Sequence, residues 1–216
     1  MKLGVLGTGM VGNAIASRLT SLGHDVMMGA REAANAKAAT WVTGAGAHAS
    51  QGTFAAAAAF GEVLFNCTAG AASLAALEAA GAKNLAGKVL IDVSNPLDFS
   101  KGMPPTLTVC NTDSLGERIQ RAFPDTQVVK TLNTLNCDLM VNPALLAGGD
   151  HDVFVSGDDP AAKARVVEIL KGWFGWKRVI DLGGIATARG VEMAVIFWVS
   201  LMGAQKTPMF NYKIVR

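Results

Sequence analysis

Three glycines in the stretch Gly7-Thr8-Gly9-Met10-Val11-Gly12 are spaced for one kind of chemistry. They follow the apolar run LGVL and lead into NAIASRLTS, which carries Ala14, Ile15 and Leu19 at helical spacing. In such a strand–turn–helix unit the first glycine permits the tight turn. The second lets a pyrophosphate reach the backbone with no Cβ in the way, and the third lets helix and strand pack closely. The phosphates then rest on unpaired N–H groups at a helix N-terminus, whose dipole also favours negative charge. A turn serving packing alone is the competing explanation; the spacing, and the strand that follows, favour a dinucleotide.

That second strand ends in VMMGARE. An acid at this strand end would hydrogen-bond the adenosine ribose diol and repel a 2′-phosphate. Here Gly29 and Ala30 leave room, and Arg31 offers a planar, permanently charged donor fork suited to phosphate. NADP(H) is therefore expected over NAD(H). Two alternatives stay open: Arg31 as a solvated first-turn residue, and Glu32 turning back to the ribose. Lys37, on the next helix, could assist but is expected to be a surface residue.

Three polar stretches follow strand-like runs: Thr68-Ala69-Gly70, Val93-Ser94-Asn95-Pro96, and Lys130 to Asn136 with Asn133 and Thr134 at its centre. Open α/β sheets bind ligands beyond the carboxyl ends of their strands. Hydroxyls and amides gathered there suit a nicotinamide carboxamide and a flat heterocyclic acceptor, although Ser and Asn also cap and turn after strands for purely local reasons. No proton-transfer catalyst stands out, since His24, His48 and His151 fall in unremarkable places. Lys130 is the one candidate for carbonyl chemistry on a small hydroxy or imino compound. A chain without acid, nucleophile or metal site fits direct hydride transfer, in which the protein sets orientation and distance. It fits equally a dinucleotide-binding sensor without turnover.

The elements that must position these residues are short apolar strands alternating with helices: HDVMMG, AHAS, VLFNCT, KVLIDVSN and TQVVKTL, with helical runs between. That alternation predicts a doubly wound parallel Rossmann sheet covered on both faces, class α/β. KGMPPTLT, Lys101 to Thr108, is expected to be a loop. After a largely loop-like stretch, DVFVSG, a helix from Pro160, KRVIDLGG and a long last helix form a small C-terminal α/β extension. The division expected is 1–150 and 151–216.

Half of the 216 residues are hydrophobic and the formal charge is only +2, which gives no basis for a nucleic-acid surface. The three cysteines show no zinc spacing, so no metal is expected. The longest apolar run, Met193 to Ala204, falls short of the roughly 18–20 residues that cross a bilayer and is expected to be a buried helix. A cytoplasmic location, a small-molecule partner and no membrane follow as expectations.

The opening strand and glycine turn, Gly29-Ala30-Arg31, DVSNP, VVKTLNTLN and FVSGDDPAAK with VIDLGGIATARGVE together resemble the NADP oxidoreductase family. That family includes NADPH-dependent reductases of the deazaflavin coenzyme F-420 and the cytosolic domain of six-transmembrane ferric reductases. The resemblance covers nearly the whole chain. It implies an NADP-binding Rossmann domain, a C-terminal domain helping to form the acceptor site and the dimer, and a homodimer. By position, Gly7, Thr8, Gly9, Met10, Val11 and Gly12 would line the phosphate turn, and Ala30 with Arg31 the 2′-phosphate. Thr68, Ala69, Gly70, Ser94, Asn95 and Pro96 would border the nicotinamide, with Asn133, Thr134 and Ser94 as the catalytic set beside the acceptor. Two departures mark this chain. Ala30 stands where relatives carry a serine, and Asn35 near where a second basic residue is common. Asn133-Thr134-Leu135-Asn136 replaces the His-Thr-x-Pro pattern of deazaflavin reductases and is closer to the ferric-reductase branch, which brings an ordinary flavin (FMN or FAD) in beside coenzyme F-420.

Overall fold

The computed structural model describes residues 1–216. Apolar strands alternate with helices from the start: β1 (Lys2–Leu6), α1 (Met10–Ser21), β2 (Asp25–Ala30), α2 (Ala36–Ala45), β3 (Ala49–Thr53), α3 (Phe54–Phe60), β4 (Val63–Asn66), α4 (Gly70–Ala80), the short α5 (Ala82–Leu85) and β5 (Val89–Asp92). A small hairpin, β6 (Leu97–Asp98) and β7 (Thr106–Leu107), comes next. The chain continues through α6 (Leu115–Ala122), β8 (Gln127–Thr131), α7 (Cys137–Val141), β9 (Asp152–Ser156), α8 (Pro160–Ile169), β10 (Arg178–Asp181) and α9 (Ala188–Gln205).

Eight strands form one sheet in the order β10-β9-β8-β5-β4-β1-β2-β3. All neighbours run parallel except β8 and β9. From β3 to β8 this is the doubly wound order, with its reversal between β1 and β4. The strands read as continuous apolar runs because successive side chains feed opposite cores. Val63 and Phe65 enter the core capped by Ile15, Leu19, Trp41, Val166 and Ile169. Leu64 between them enters the other, built on Ala57, Leu77 and Ile119.

Residues 151–216 add β9 and β10 to the same sheet, so one continuous sheet runs across position 150. Because β9 is antiparallel to β8, its N-terminal end lies at the edge where β1, β4, β5 and β8 finish. The C-terminal tail is fastened there: Asp152 N–H donates to Tyr212 O, and Ile214 N–H to the Asp152 carboxylate.

Two expectations change. The Pro/Gly stretch 101–108 is not all loop: Thr106 and Leu107 pair with Leu97 and Asp98. Strands this short carry no periodic signal, and the prolines hide it further. The apolar run at 193–204 is not a buried helix. It belongs to a helical segment, Ile185–Gln205, long and apolar enough to cross a bilayer by length and composition. In α9 only Ala188, Val191, Glu192, Val195 and Val199 are buried, while Met193 and Phe197 stand exposed.

Candidate active site

Two of the three glycines of the first turn have a steric reason to be there, and the third borders open space. Gly7 has φ 120°, a conformation side chains disfavour, and its N–H donates to Gly29 O at 2.9 Å, tying the turn to the end of β2. A Cβ on Gly12 would overlap the Gly7 carbonyl, so the third glycine lets α1 press on the turn. A Cβ on Gly9 would meet nothing within 4 Å. Gly9 thus guards open space that a diphosphate needs. Gly9 is also the N-cap of α1 with no side-chain cap and no acid in the first turn, which leaves the first amides free for an anion. The fit of a dinucleotide phosphate to these residues is good.

Arg31 and Glu32 lie exposed just past β2, and Ala30 is buried beneath them. Lys37 borders the groove that passes Thr8, Gly9, Met10 and Asn13. Asn35 caps α2 by accepting from Ala38 N–H at 3.1 Å. Its side chain is therefore spent on the helix.

A cavity of about 660 Å³ opens at the topological switch point. Its lining joins Gly9, Met10 and Val11 of the glycine turn to Thr68, Ala69 and Gly70 after β4 and to Ser94 and Asn95 after β5. Leu97, Asp98 and Phe99 of the hairpin complete it. Gly70 is needed where it stands, because a Cβ there would overlap the Asn95 carbonyl. Of the sequence-expected residues, Gly9, Met10, Val11, Thr68, Ala69, Gly70, Ser94 and Asn95 converge here, while Gly7, Thr8, Gly12, Ala30, Arg31, Pro96, Asn133 and Thr134 lie outside this lining. Cys67 also lines the cavity, and burial pushes its thiol well above the ordinary cysteine range, so it is protonated at neutral pH.

Behind the cavity lies a buried polar network. The Asp92 carboxylate accepts from Asn66 Nδ2 at 2.8 Å, from Ser94 Oγ at 2.6 Å and from Lys130 Nζ at 2.8 Å. Lys130 Nζ also contacts Glu192 at 2.8 Å and donates to Ser94 O at 2.5 Å. Glu192, from α9, accepts the Leu115 and Gly116 N–H groups at the start of α6. Burial works against the Lys130 ammonium, but Asp92 and Glu192 outweigh it and hold its pKa above the ordinary lysine value. With its side chain fully buried and its donors committed, Lys130 is no catalyst for a carbonyl substrate. It fixes the Ser94 backbone instead.

Asn133 works one contact behind the cavity. Its Nδ2 donates to Asn95 Oδ1 at 2.9 Å and Val191 O at 3.0 Å, while Asn95 Nδ2 donates to Asn133 O at 2.8 Å. This reciprocal amide pair locks the loops after β5 and β8 together and ties both to α9. Thr134 is buried beside it. Sequence reasoning missed Asp92, Asn66 and Glu192. Glu192 did leave a signal, as the lone charge in the otherwise apolar stretch from Val191 to Ala204. The histidines are held elsewhere: His151 donates to Pro143 O, and His48 pairs with Asp25 on the surface.

Comparison with known proteins gives the family and the fold. Residues 2–96 match the family described as NADP oxidoreductase, coenzyme F420-dependent. A solved structure from Arthrobacter sp. FB24, provisionally named an F420-dependent NADP-reductase, is 55% identical and superposes with a TM-score of 0.95 over 100% of both chains. The rat (Rattus norvegicus) protein named metalloreductase STEAP3 is 32% identical over 197 residues, 88% of this chain. The chain spans only 36% of that relative's length. A reductive aminase from Aspergillus terreus, solved with NADPH4, cyclohexanone and allyl amine, shares the fold at 22% identity and TM-score 0.67, over 94% of this chain and 62% of its own.

Proposed function

The chain belongs to the NADP oxidoreductase, coenzyme F420-dependent family, and from that premise we propose that it moves a hydride between NADP(H) and a flavin or deazaflavin acceptor. NADP-dependent redox chemistry comes with the family; the acceptor is our reading. NADPH, when bound, supplies the hydride that the acceptor ring receives. The protein's own share is placement. The amides at the start of α1 would hold the diphosphate and Arg31 the 2′-phosphate. Thr68, Ser94 and Asn95 would meet the nicotinamide edge, with Ala69, Gly70 and Pro96 shaping the approach. Asn133 and Thr134 would act on the acceptor side by keeping Asn95 and its loop in register.

One observation carries the proposal. The only titratable side chains lining the cavity are a buried thiol and the carboxylate of Asp98, while the nearby lysine is locked in the network behind it. A site that orients two rings and offers no acid matched to neutral pH suits hydride transfer between cofactors. A small carbonyl or imine would need a proton donor for the developing charge. The metalloreductase name belongs to a much longer relative, and a diffusible ring acceptor is sufficient here.

The test is mixing with NADPH and, in turn, FMN, FAD and coenzyme F-420, following loss of the reduced-nicotinamide absorbance. Turnover with at least one ring acceptor is expected. Tight NADPH binding with no turnover on any of them would replace this reading with that of a sensor. We further propose a homodimer, closed over the exposed Met193 and Phe197 face of α9, in the cytoplasm. Dispersal of the dimer by Phe197→Glu, read from solution mass, checks the interface.

A further inference from the structure

The hairpin β6–β7 places an aromatic ring where a second ring could lie against it. Phe99 is the first residue after β6 and is 57% exposed, yet its backbone is tied down. Gly102 N–H donates to Phe99 O at 2.9 Å, and Ser100 N–H to Asp98 Oδ1 at 2.8 Å. The hairpin is in turn fastened to the cavity wall: Leu97 N–H donates to Asn95 O, and Thr108 N–H to Pro96 O, both at 2.8 Å. Met10, 82% exposed at the first turn of α1, lines the same cavity. Phe99, Met10, Val11 and Leu97 line the same cavity as the polar Thr68, Ser94 and Asn95. Exposed apolar groups gathered at one opening mark a binding surface. The hydrogen bonds to Asn95 and Pro96 make that surface part of the same pocket.

We propose that Phe99 is the stacking residue for the acceptor, so that the β6–β7 hairpin selects a planar fused heteroaromatic ring. The isoalloxazine or its deaza counterpart lies with one face on Phe99 and the other toward the nicotinamide, and Met10 covers its edge. This rests on the flavin or deazaflavin reading above and deepens it. An aromatic pair gains by stacking beyond what area burial alone gives, so the hairpin discriminates for ring size and flatness without any hydrogen bond. A small keto or imino compound gains nothing from it.

The experiment titrates FMN, and separately coenzyme F-420, into the protein saturated with NADP⁺, a state that binds both partners without turning over. Wild type and Phe99→Ala, Phe99→Leu and Phe99→Trp variants are compared by equilibrium dialysis and by FMN fluorescence. Phe99→Ala is expected to weaken acceptor binding about tenfold, with NADP⁺ affinity unchanged. Phe99→Leu should recover only part of the loss. Phe99→Trp should restore affinity and quench bound FMN, an optical signature that needs no turnover. Equal acceptor affinity in Phe99→Ala and wild type, with turnover intact, overturns the stacking role and leaves the proposed reaction standing. No binding of either ring by wild type, with no turnover, removes both. If Phe99→Ala changes the solution mass and not acceptor affinity, Phe99 belongs to a contact between copies and the inference fails.

Discussion

The two sides of the cavity are built in opposite ways. Behind it, Asp92, Lys130 and Glu192 are buried with one ammonium held between two carboxylates, and they come from β5, β8 and α9, far apart in the chain. At its mouth Met10 and Phe99 are exposed, as is Arg31 past the end of β2, each one residue from a turn or a strand end. The buried side spends desolvation energy to hold backbone, since three of its hydrogen bonds end on Ser94: its N–H, its Oγ and its carbonyl. The exposed side holds little and is free to meet ligands. Rigidity and recognition are thus separated across one cavity, and changes on the two sides should fail differently: behind, in stability; in front, in affinity.

The largest expected effect is behind the cavity. Lys130→Met leaves Asp92 and Glu192 facing each other with no cation between them, and removing one partner of a buried pair typically costs about 3–5 kcal/mol. Urea unfolding should show that loss, and adding Glu192→Gln should recover part of it. A loss under about 1 kcal/mol would mean that the network is not what holds this side. In front, Arg31→Ala should leave the unfolding midpoint in place. NADPH affinity should fall about ten- to hundredfold, the size of a lost charge-assisted phosphate contact, and NADH affinity should hardly move. Equal weakening of both would move the 2′-phosphate away from Arg31 and erase the contrast.

The same division decided what could be read from sequence. The glycine turn and Arg31 on the exposed side were legible because they are local: three glycines within six positions, then a cation one residue past a strand. So was the doubly wound fold, since strands feeding two cores leave continuous apolar runs. The buried side was not. Lys130 was visible only as a possible catalyst, and nothing near it in sequence reveals that Asp92, 38 positions away, and Glu192 would neutralise it. Asn133 was picked as a site residue, but its pairing with Asn95 and Val191 depends on the register of β5, β8 and α9. The hairpin was missed because two-residue strands have no period. The exposed face of α9 was misjudged because an apolar run alone does not say what covers it.

Asn133 tests the seam between the two sides. Asn133→Ala removes the donor to Asn95 and Val191, so turnover should fall several-fold more than NADPH affinity does; equal turnover in variant and wild type would reduce the amide pair to a packing detail.

The smallest effect concerns how α9 is kept over α6. Glu117 accepts from Arg189 at 2.8 Å and from the N-cap residue Ser114 at 2.7 Å. The Arg189 guanidinium, with Ser114 adding to it, outweighs burial and the nearby Asp113 and holds the Glu117 carboxyl below the ordinary glutamate range. The folded pKa therefore lies under the unfolded one, so this contribution is fully present above about pH 4.3 and is lost as pH falls through the folded value. Asp113, held well down by Arg121 and Arg118, changes in the same direction at still lower pH. Stability measured from pH 6 downward should begin to fall near pH 4.3. In Arg189→Met the part of that slope owed to Glu117 should flatten, while Asp113 still titrates. Because Glu192 grips the same end of α6 from within, α6 and α9 should stay docked as this outer tie weakens, and turnover measured at neutral pH should be close to that of wild type. An Arg189→Met protein with an unchanged acid limb would show that the outer ion pair adds nothing and that the buried network alone joins the two helices.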